Sequence, residues 1–326
     1  MIVVTGAAGF IGSALAWRLN TQNKTQLLLV DDLETSDRWL NLSTLTFSDY
    51  MEKSDFLDWL RTHPDNSASI KVIFHLGACS STTETDTAYL MENNFRYTQT
   101  LAKWCVRNQV PLIYASSAAT YGDGSRGYAD QEEGLHSLRP LNRYGYSKQI
   151  FDLWARQAGI LKQIVGLKYF NVYGPNEYQK GDMRSVVLKS FEQIRLHGKV
   201  QLFKSHREDY ADGCQLRDFI YIQDAVDMTL HCWQKNVPGG IYNIGTGTAR
   251  SWIDLVTALF NALNLEPDIE FIPMPDSIRD KYQYYTQADM RKFFSTGYAQ
   301  PIRSLEEGVA DYVKHLSAGC KNLGEI

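Results

Sequence analysis

The sequence has little that would tie it to a covalent or metal framework. Its 326 residues include five cysteines, Cys79, Cys105, Cys214, Cys232 and Cys320, scattered and odd in number. None forms a C-x-x-C pair, which argues against a disulfide scaffold or a zinc site and predicts reduced thiols in a cytoplasmic protein. There is no excess of positive charge. Lys and Arg number 33 against 37 Asp and Glu, a net charge of -4, so no bulk attraction to nucleic acid is expected. No apolar run reaches the ~18 residues of a membrane span. Met1 leads straight into Ile2-Val3-Val4-Thr5, without the basic region, apolar core and cleavage site of a signal peptide. Internal repeats and low-complexity tails are also missing. What is present is ordinary globular composition, 44% hydrophobic and 21% charged, with length enough for a large core.

Short apolar, β-branched runs alternate with longer amphipathic segments. The strand-like runs are Ile2 to Thr5, Leu27 to Val30, Val72 to Leu76, Leu112 to Ser116 and Ile164 to Phe170. The helix-like segments are Ile11 to Leu19, Asp55 to Thr62, Ala88 to Arg107 and Ser147 to Ala158. This alternation predicts an α/β protein with a parallel sheet covered on both faces. Ligands bind such sheets beyond the carboxyl ends of the strands. After Gly174-Pro175 the rhythm loosens and polar stretches such as Lys204 to Arg217 enter. Phe219 to Ile222 and Ile241 to Ile244 read as further strands, Asp224 to Trp233 and Trp252 to Leu263 as helices. The pattern divides residues 1–172 from a smaller, interleaved unit at 173–326, with a segment at about 218–240 returning to the first.

Thr5-Gly6-Ala7-Ala8-Gly9-Phe10-Ile11-Gly12 follows the first strand and opens a helix, with glycines spaced G-x-x-G-x-x-G. Glycines there permit a tight turn and bring backbone N–H groups up to a pyrophosphate at a helix N-terminus. Asp31 stands nineteen residues beyond Gly12, at the end of the next strand. That is the place for an acid that binds an adenosine ribose. Strand, loop, helix and acid together predict a Rossmann-type doubly wound domain holding NAD(P). Asp31 favours a free 2′-hydroxyl, while a 2′-phosphate, with about -1.5 to -2 charges, needs cations near Asp31 and Asp32. Arg38 and Lys53 are the candidates.

Tyr144 and Lys148 lie four residues apart, one turn on one helix face. A free phenol has a pKa of about 10, and a lysine ammonium held close lowers it. The pair is suited to moving a hydroxyl proton while a hydride leaves the same carbon. Ser116 and Ser117 end a strand at the same edge. Either can hydrogen-bond the substrate oxygen, and strand alternation puts only one of them into the site.

The glycine loop, the strand-end serines and the Tyr144/Lys148 pair resemble the extended short-chain dehydrogenase/reductase superfamily. In that pattern the serine followed by x-x-x-Tyr-Gly is Ser117. The resemblance narrows on four runs: His75-Leu76-Gly77-Ala78-Cys79-Ser80-Ser81-Thr82-Thr83-Glu84, Tyr169 to Pro175, Gln215 to Phe219, and Tyr282 to Asp289. These look like the ADP-L-glycero-D-manno-heptose 6-epimerase family, with similarity from Met1 to about Tyr312.

The resemblance implies inversion of C6 of an ADP-linked heptose through transient oxidation to a 6-keto intermediate. It implies Tyr144 as acid/base, Lys148 on the nicotinamide ribose, and Lys180 as a second acid/base; the bland alternative for Lys180 is a surface-loop lysine. Phe10, Ile11, Asp31, Asp32, Arg38, Lys53, Leu76, Gly77, Ala78, Cys79, Ser80, Asn93, Val172 and Lys180 match cofactor contacts. Ser117, Asn171, Asp182, Lys189, Phe203, Lys204, Ser205, His206, Arg217 and Tyr282 match substrate contacts. Arg217 also fits on physical grounds, because a guanidinium grips diphosphate in a bidentate fork; its alternative is a salt bridge to Asp218 or Asp209. Asp32 stands where the family usually has Asn, Lys189 where a His is common, and Asp182 where a Ser is. The family further implies NADP, with NAD as the alternative, one per subunit. It also implies a cytoplasmic homo-oligomer, a pentamer, that supplies lipopolysaccharide core heptose. The competing readings are a UDP-sugar 4-epimerase, a 4,6-dehydratase and a non-catalytic dinucleotide sensor. Ala118-Ala119 after Ser117 lacks the Asp-Glu pair of dehydratases, and the intact Tyr-Lys pair speaks against a sensor.

Overall fold

The computed structural model describes residues 1–62, 68–279 and 282–325. Its strands are β1 Ile2–Thr5, β2 Leu27–Asp31, β3 Asp49–Glu52, β4 Val72–His75, β5 Leu112–Ser117, β6 Val165–Tyr169, β7 Asn171–Tyr173, β8 Val200–Phe203, β9 Leu216–Tyr221, β10 Gly240–Ile244, β11 Ala249–Ser251 and β12 Ile269–Ile272. Its helices are α1 Phe10–Thr21, α2 Lys53–Thr62, α3 Thr87–Leu90, α4 Tyr97–Arg107, α5 Arg143–Gln157, α6 Val186–His197, α7 Ile222–Gln234, α8 Trp252–Ala262, α9 Asp276–Arg279, α10 Arg291–Phe294 and α11 Leu305–Ser317.

Seven strands form one parallel sheet in the order β10-β6-β5-β4-β1-β2-β3. Strands β1, β2, β4 and β6 are buried along their whole length, as apolar runs covered on both faces require. The expected doubly wound α/β fold is therefore the observed one. The strand order reverses between β1 and β4, which opens a crevice at their carboxyl ends. Helix α7 packs on α1 and β10 pairs with β6 in the large sheet, whereas β9, the strand expected from Phe219, joins β7 and β11 in the separate three-stranded sheet.

Three differences from the sequence reading bear on the site. The run Ile164 to Phe170 forms strand β6, but a further strand follows it at once. The chain leaves β6, and Asn171 begins β7, which pairs with β9 in a separate three-stranded sheet. The helix expected from Ser147 starts at Arg143, where Asn142 Oδ1 accepts the Gly145 N–H at 2.7 Å. Tyr144 thus sits in the first turn of α5, with Lys148 in the second. The helix expected over Ala88 to Arg107 is broken by a π-turn, Met91–Arg96. Its Asn94 accepts the Cys79 N–H (2.8 Å) and donates to the Cys79 carbonyl (2.9 Å) and the Ser147 hydroxyl (3.0 Å). One amide therefore ties the loop after β4 to α5.

His75 closes β4 beneath this crevice. Thr98 donates its hydroxyl hydrogen to the Asn94 carbonyl, so it accepts from His75 Nε2 at 2.8 Å. His75 Nδ1 then accepts from Thr5 at 2.6 Å. Burial, with Lys148 adding to it, lowers the His75 pKa from 6.5 to about 3. Between those values the unfolded chain binds a proton that the folded one refuses. The stabilisation is complete above pH 6.5 and is lost as the pH falls. Denaturant titrations should show wild-type stability dropping by up to about 1.4 kcal/mol per pH unit below 6, a slope His75→Gln loses. Equal slopes would contradict a neutral buried His75.

Candidate active site

The glycine loop is packed too tightly for side chains. Gly6 has φ 68°, and a Cβ there would stand 2.5 Å from the Gly77 Cα. A Cβ on Gly12 would lie 2.0 Å from the Gly6 carbonyl oxygen. The loops after β1 and β4 thus meet backbone to backbone. Gly9 forms the N-cap of α1 without a side-chain cap, which leaves the helix start open to an anion. Such a cradle fits the pyrophosphate of a dinucleotide.

Asp31 holds this loop in place. Its Oδ2 accepts the Ala8 N–H at 2.7 Å and its Oδ1 the Asp32 N–H at 2.8 Å. Arg38 reaches Asp31 at 3.4 Å and donates to the Asp32 carbonyl. Lys53 pairs with the Asp32 carboxylate at 2.6 Å and donates to Asn93 at 3.4 Å. Asp31, Asp32, Arg38, Lys53 and Asn93 all line one cavity of about 180 Å³. Both cations therefore face the two acids.

A second cavity of about 660 Å³ lies beside it, a size suited to a substantial ligand. Gly6, Gly9, Phe10, Ile11 and Gly12 line it from the first loop, and Leu76, Gly77, Ala78, Cys79 and Ser80 from the second. Ser117, Tyr144, Lys148, Asn171, Val172 and Lys180 complete the expected set. Ser116 turns away and donates to the buried Asp152 carboxylate at 2.7 Å. Ser117 is the serine that hydrogen-bonds Tyr144.

The electrostatics correct one expectation. Burial raises the Tyr144 pKa above 10, opposed by the hydrogen bond from Ser117. The Lys148 ammonium is instead engaged elsewhere, its Nζ donating to the Ala115 carbonyl on β5 at 2.9 Å. Burial itself lowers Lys148 to about 8, against the pull of Asp152 and Cys79. Lys180 is no surface lysine: its Nζ sits 4.9 Å from the centre of the Phe10 ring, and it lines the same cavity as Tyr144. Burial lowers its pKa, and Glu177 opposes that.

The remaining residues form two satellites that do not line either cavity. Lys189 donates to the Asp182 carbonyl at 2.7 Å, just past Lys180. The other satellite holds Phe203, Lys204, Ser205, His206, Arg217 and Tyr282. In it the His206 N–H donates to the Tyr284 hydroxyl at 2.9 Å, and the Ser205 N–H to Asp212 at 2.7 Å. Arg217 is buried and lies over Trp252 (5.5 Å) and Tyr282 (5.2 Å). The salt bridge considered for it is not formed. Asp218 instead accepts from Thr246, Gly247 and Ala288, and Asp209 from Arg207. Trp252 lines the large cavity and donates to the Tyr282 hydroxyl at 2.8 Å. It joins this satellite to the reaction space. Sequence reasoning missed Trp252, Gln179 and Asn94; none stands in a chemical motif, and only the fold brings them in.

Residues 2–245 match the model of the NAD dependent epimerase/dehydratase family. The chain belongs to that family. An ADP-L-glycero-D-manno-heptose-6-epimerase of Nitratidesulfovibrio vulgaris is 49% identical over 318 residues, 98% of each chain. The structure of Helicobacter pylori ADP-L-glycero-D-manno-heptose-6-epimerase superposes with a TM-score of 0.80 at 29% identity, covering 97% of this chain and 96% of that one. Thermus thermophilus UDP-glucose 4-epimerase, solved with NAD, gives 0.76 at 25% identity, covering 98% and 99%. The family and the cradle together make the cofactor a nicotinamide dinucleotide. Among the described residues no helix is long and apolar enough to cross a membrane.

Proposed function

We propose that this enzyme inverts C6 of ADP-D-glycero-D-manno-heptose to give the L-glycero epimer, through a 6-keto intermediate. The near-full-length 49% identity to an enzyme of that name carries the reading. The geometry supplies its chemistry. Bound on the glycine loop, the nicotinamide would take the C6 hydrogen and give it back. Ser117 and Tyr144 receive the C6 hydroxyl, and Tyr144, in its phenolate form, takes the proton as the hydride leaves. Lys148 orients the ribose beside them. Lys180, which lines the same cavity against Phe10, serves the oxygen after the ketone has turned over and presents its other face. A reorientation that swings the carbonyl oxygen away from Tyr144, rather than turning the ketone about its C=O axis, calls for such a second donor.

The cofactor we assign is NADP, held by Arg38 and Lys53, which offset Asp31 and Asp32. The substrate diphosphate is assigned to Arg217, whose guanidinium has aromatic faces beneath it and no carboxylate partner among the described residues. Arg217→Ala should raise KM for the nucleotide sugar about 100-fold, the worth of charge-assisted hydrogen bonds; cofactor affinity stays as it was. A matching loss of cofactor affinity would remove Arg217 from the substrate.

The test of the function is proton NMR of the purified protein with ADP-D-glycero-D-manno-heptose and no added reductant. Formation of the L-glycero epimer is expected. If the heptose is unchanged while UDP-sugars invert at C4, the heptose assignment is wrong.

A further inference from the structure

Behind the catalytic wall the core holds three charged side chains, Asp152, Lys168 and Lys148, the first two with no solvent exposure. Asp152 lies one turn beyond Lys148 on α5. Both its oxygens are taken by hydroxyls from β5: Tyr114 donates to Oδ1 at 2.8 Å and Ser116 to Oδ2 at 2.7 Å. Lys168, from β6, bears on the carboxylate through its charge. Among the described residues its Nζ has no hydrogen-bond partner, and it rests 4.1 Å from the centre of the Tyr121 ring. Buried charges of this kind are poor stabilisers, since well-packed apolar residues do as well. Their place decides what they do. Tyr114 and Ser116 flank Ala115, whose carbonyl holds the Lys148 ammonium, and Ser117 follows directly.

We propose that Asp152 is a positioning residue: it ties α5 to the carboxyl end of β5, so that Ser117 meets Tyr144, and supplies the negative charge that keeps Lys148 an ammonium. The inference rests on the roles given to Tyr144 and Lys148 above. Lys148 is faced by Asp152 on its own helix, by Cys79 from the loop after β4, and by His75 on β4. Of these Asp152 is the strongest influence holding its proton against burial, which brings it to about 8. Asp152 in turn faces Tyr114 and Ser116 on β5 and Lys168 on β6, and Lys168 faces Asp130 and Lys292.

The test compares pH profiles of Asp152→Asn and Ser116→Ala with wild type. Asp152→Asn should lower kcat about 10- to 100-fold at an unchanged KM for the sugar, and move the alkaline limb down by about one pH unit. Ser116→Ala loses one tie but keeps the charge, so kcat should fall about threefold to tenfold with the limb unmoved. A merely structural role would not separate the two. The proposal fails if Asp152→Asn keeps the wild-type limb, or if Ser116→Ala shifts it as far. It also fails if Ser116→Ala keeps full kcat, a result that decides the matter even should Asp152→Asn not fold. The alkaline limb of NADP binding, titrated by fluorescence without sugar, should shift in the same way. An inactive wild type with that binding shift would refute the heptose reading and leave this one standing.

Discussion

Tyr144→Phe should reduce turnover about 1000-fold while leaving cofactor affinity intact. The phenol is half-buried, its pKa is raised by burial, and the hydroxyl of Ser117 bonds it. Removing one oxygen leaves the cavity shape and takes away the proton carrier. Lys180→Met should act on the same reaction from its place against Phe10. If each group serves one configuration, single-turnover oxidation will show opposite asymmetries. One epimer will be crippled chiefly by the tyrosine change and the other chiefly by the lysine change. Equal losses from both epimers would end the division of labour, and a Tyr144→Phe enzyme within about tenfold of wild type would remove the tyrosine from the chemistry.

The second large effect is on cofactor choice. Replacing Arg38 and Lys53 together by Met should weaken NADP binding about 100-fold or more, the scale of two charge-assisted contacts, with NAD binding little changed. The arrangement explains why both must go. Arg38 reaches Asp31 and Lys53 pairs with Asp32, so losing one cation leaves an acid uncompensated beside the other. Asp32→Asn should work in the reverse sense and tighten NADP, because Lys53 is freed. Equal weakening of NAD and NADP by the double change would show that the two cations do not read the 2′-phosphate.

Much of this could be read from the chain, and the reasons are physical. Ile2 to Val4 and Leu27 to Val30 are unbroken apolar runs because both sheet faces are covered, and a buried strand has no polar side to blur the signal. Gly6 and Gly12 were legible because only glycine fits the contacts they make. The Tyr144–Lys148 spacing survived a wrong helix start, since one helix turn relates them wherever the helix begins. Other elements gave no signal. The edge strand Asp49–Glu52 is a polar run that pairs on one side only. The π-turn at Met91–Arg96 has no composition of its own, yet it aims Asn93 at the Lys53 cavity and Asn94 at the Cys79 loop. Lys148 was expected to lower the Tyr144 pKa because one turn brings the side chains near. Spacing does not say which way an ammonium points, and here the Ala115 carbonyl takes it. The place of Arg217 depended on long-range packing, where Trp252 and Tyr282 arrive from distant segments.

The central claim is that C6 loses its hydrogen to the cofactor and receives the same hydrogen back. The direct test is epimerisation in deuterium oxide, with product read by proton NMR and mass spectrometry. The account predicts L-glycero product that carries its original proton at C6 and gains no mass. Solvent deuterium at C6 would contradict it, because the inversion would then proceed by proton abstraction from carbon.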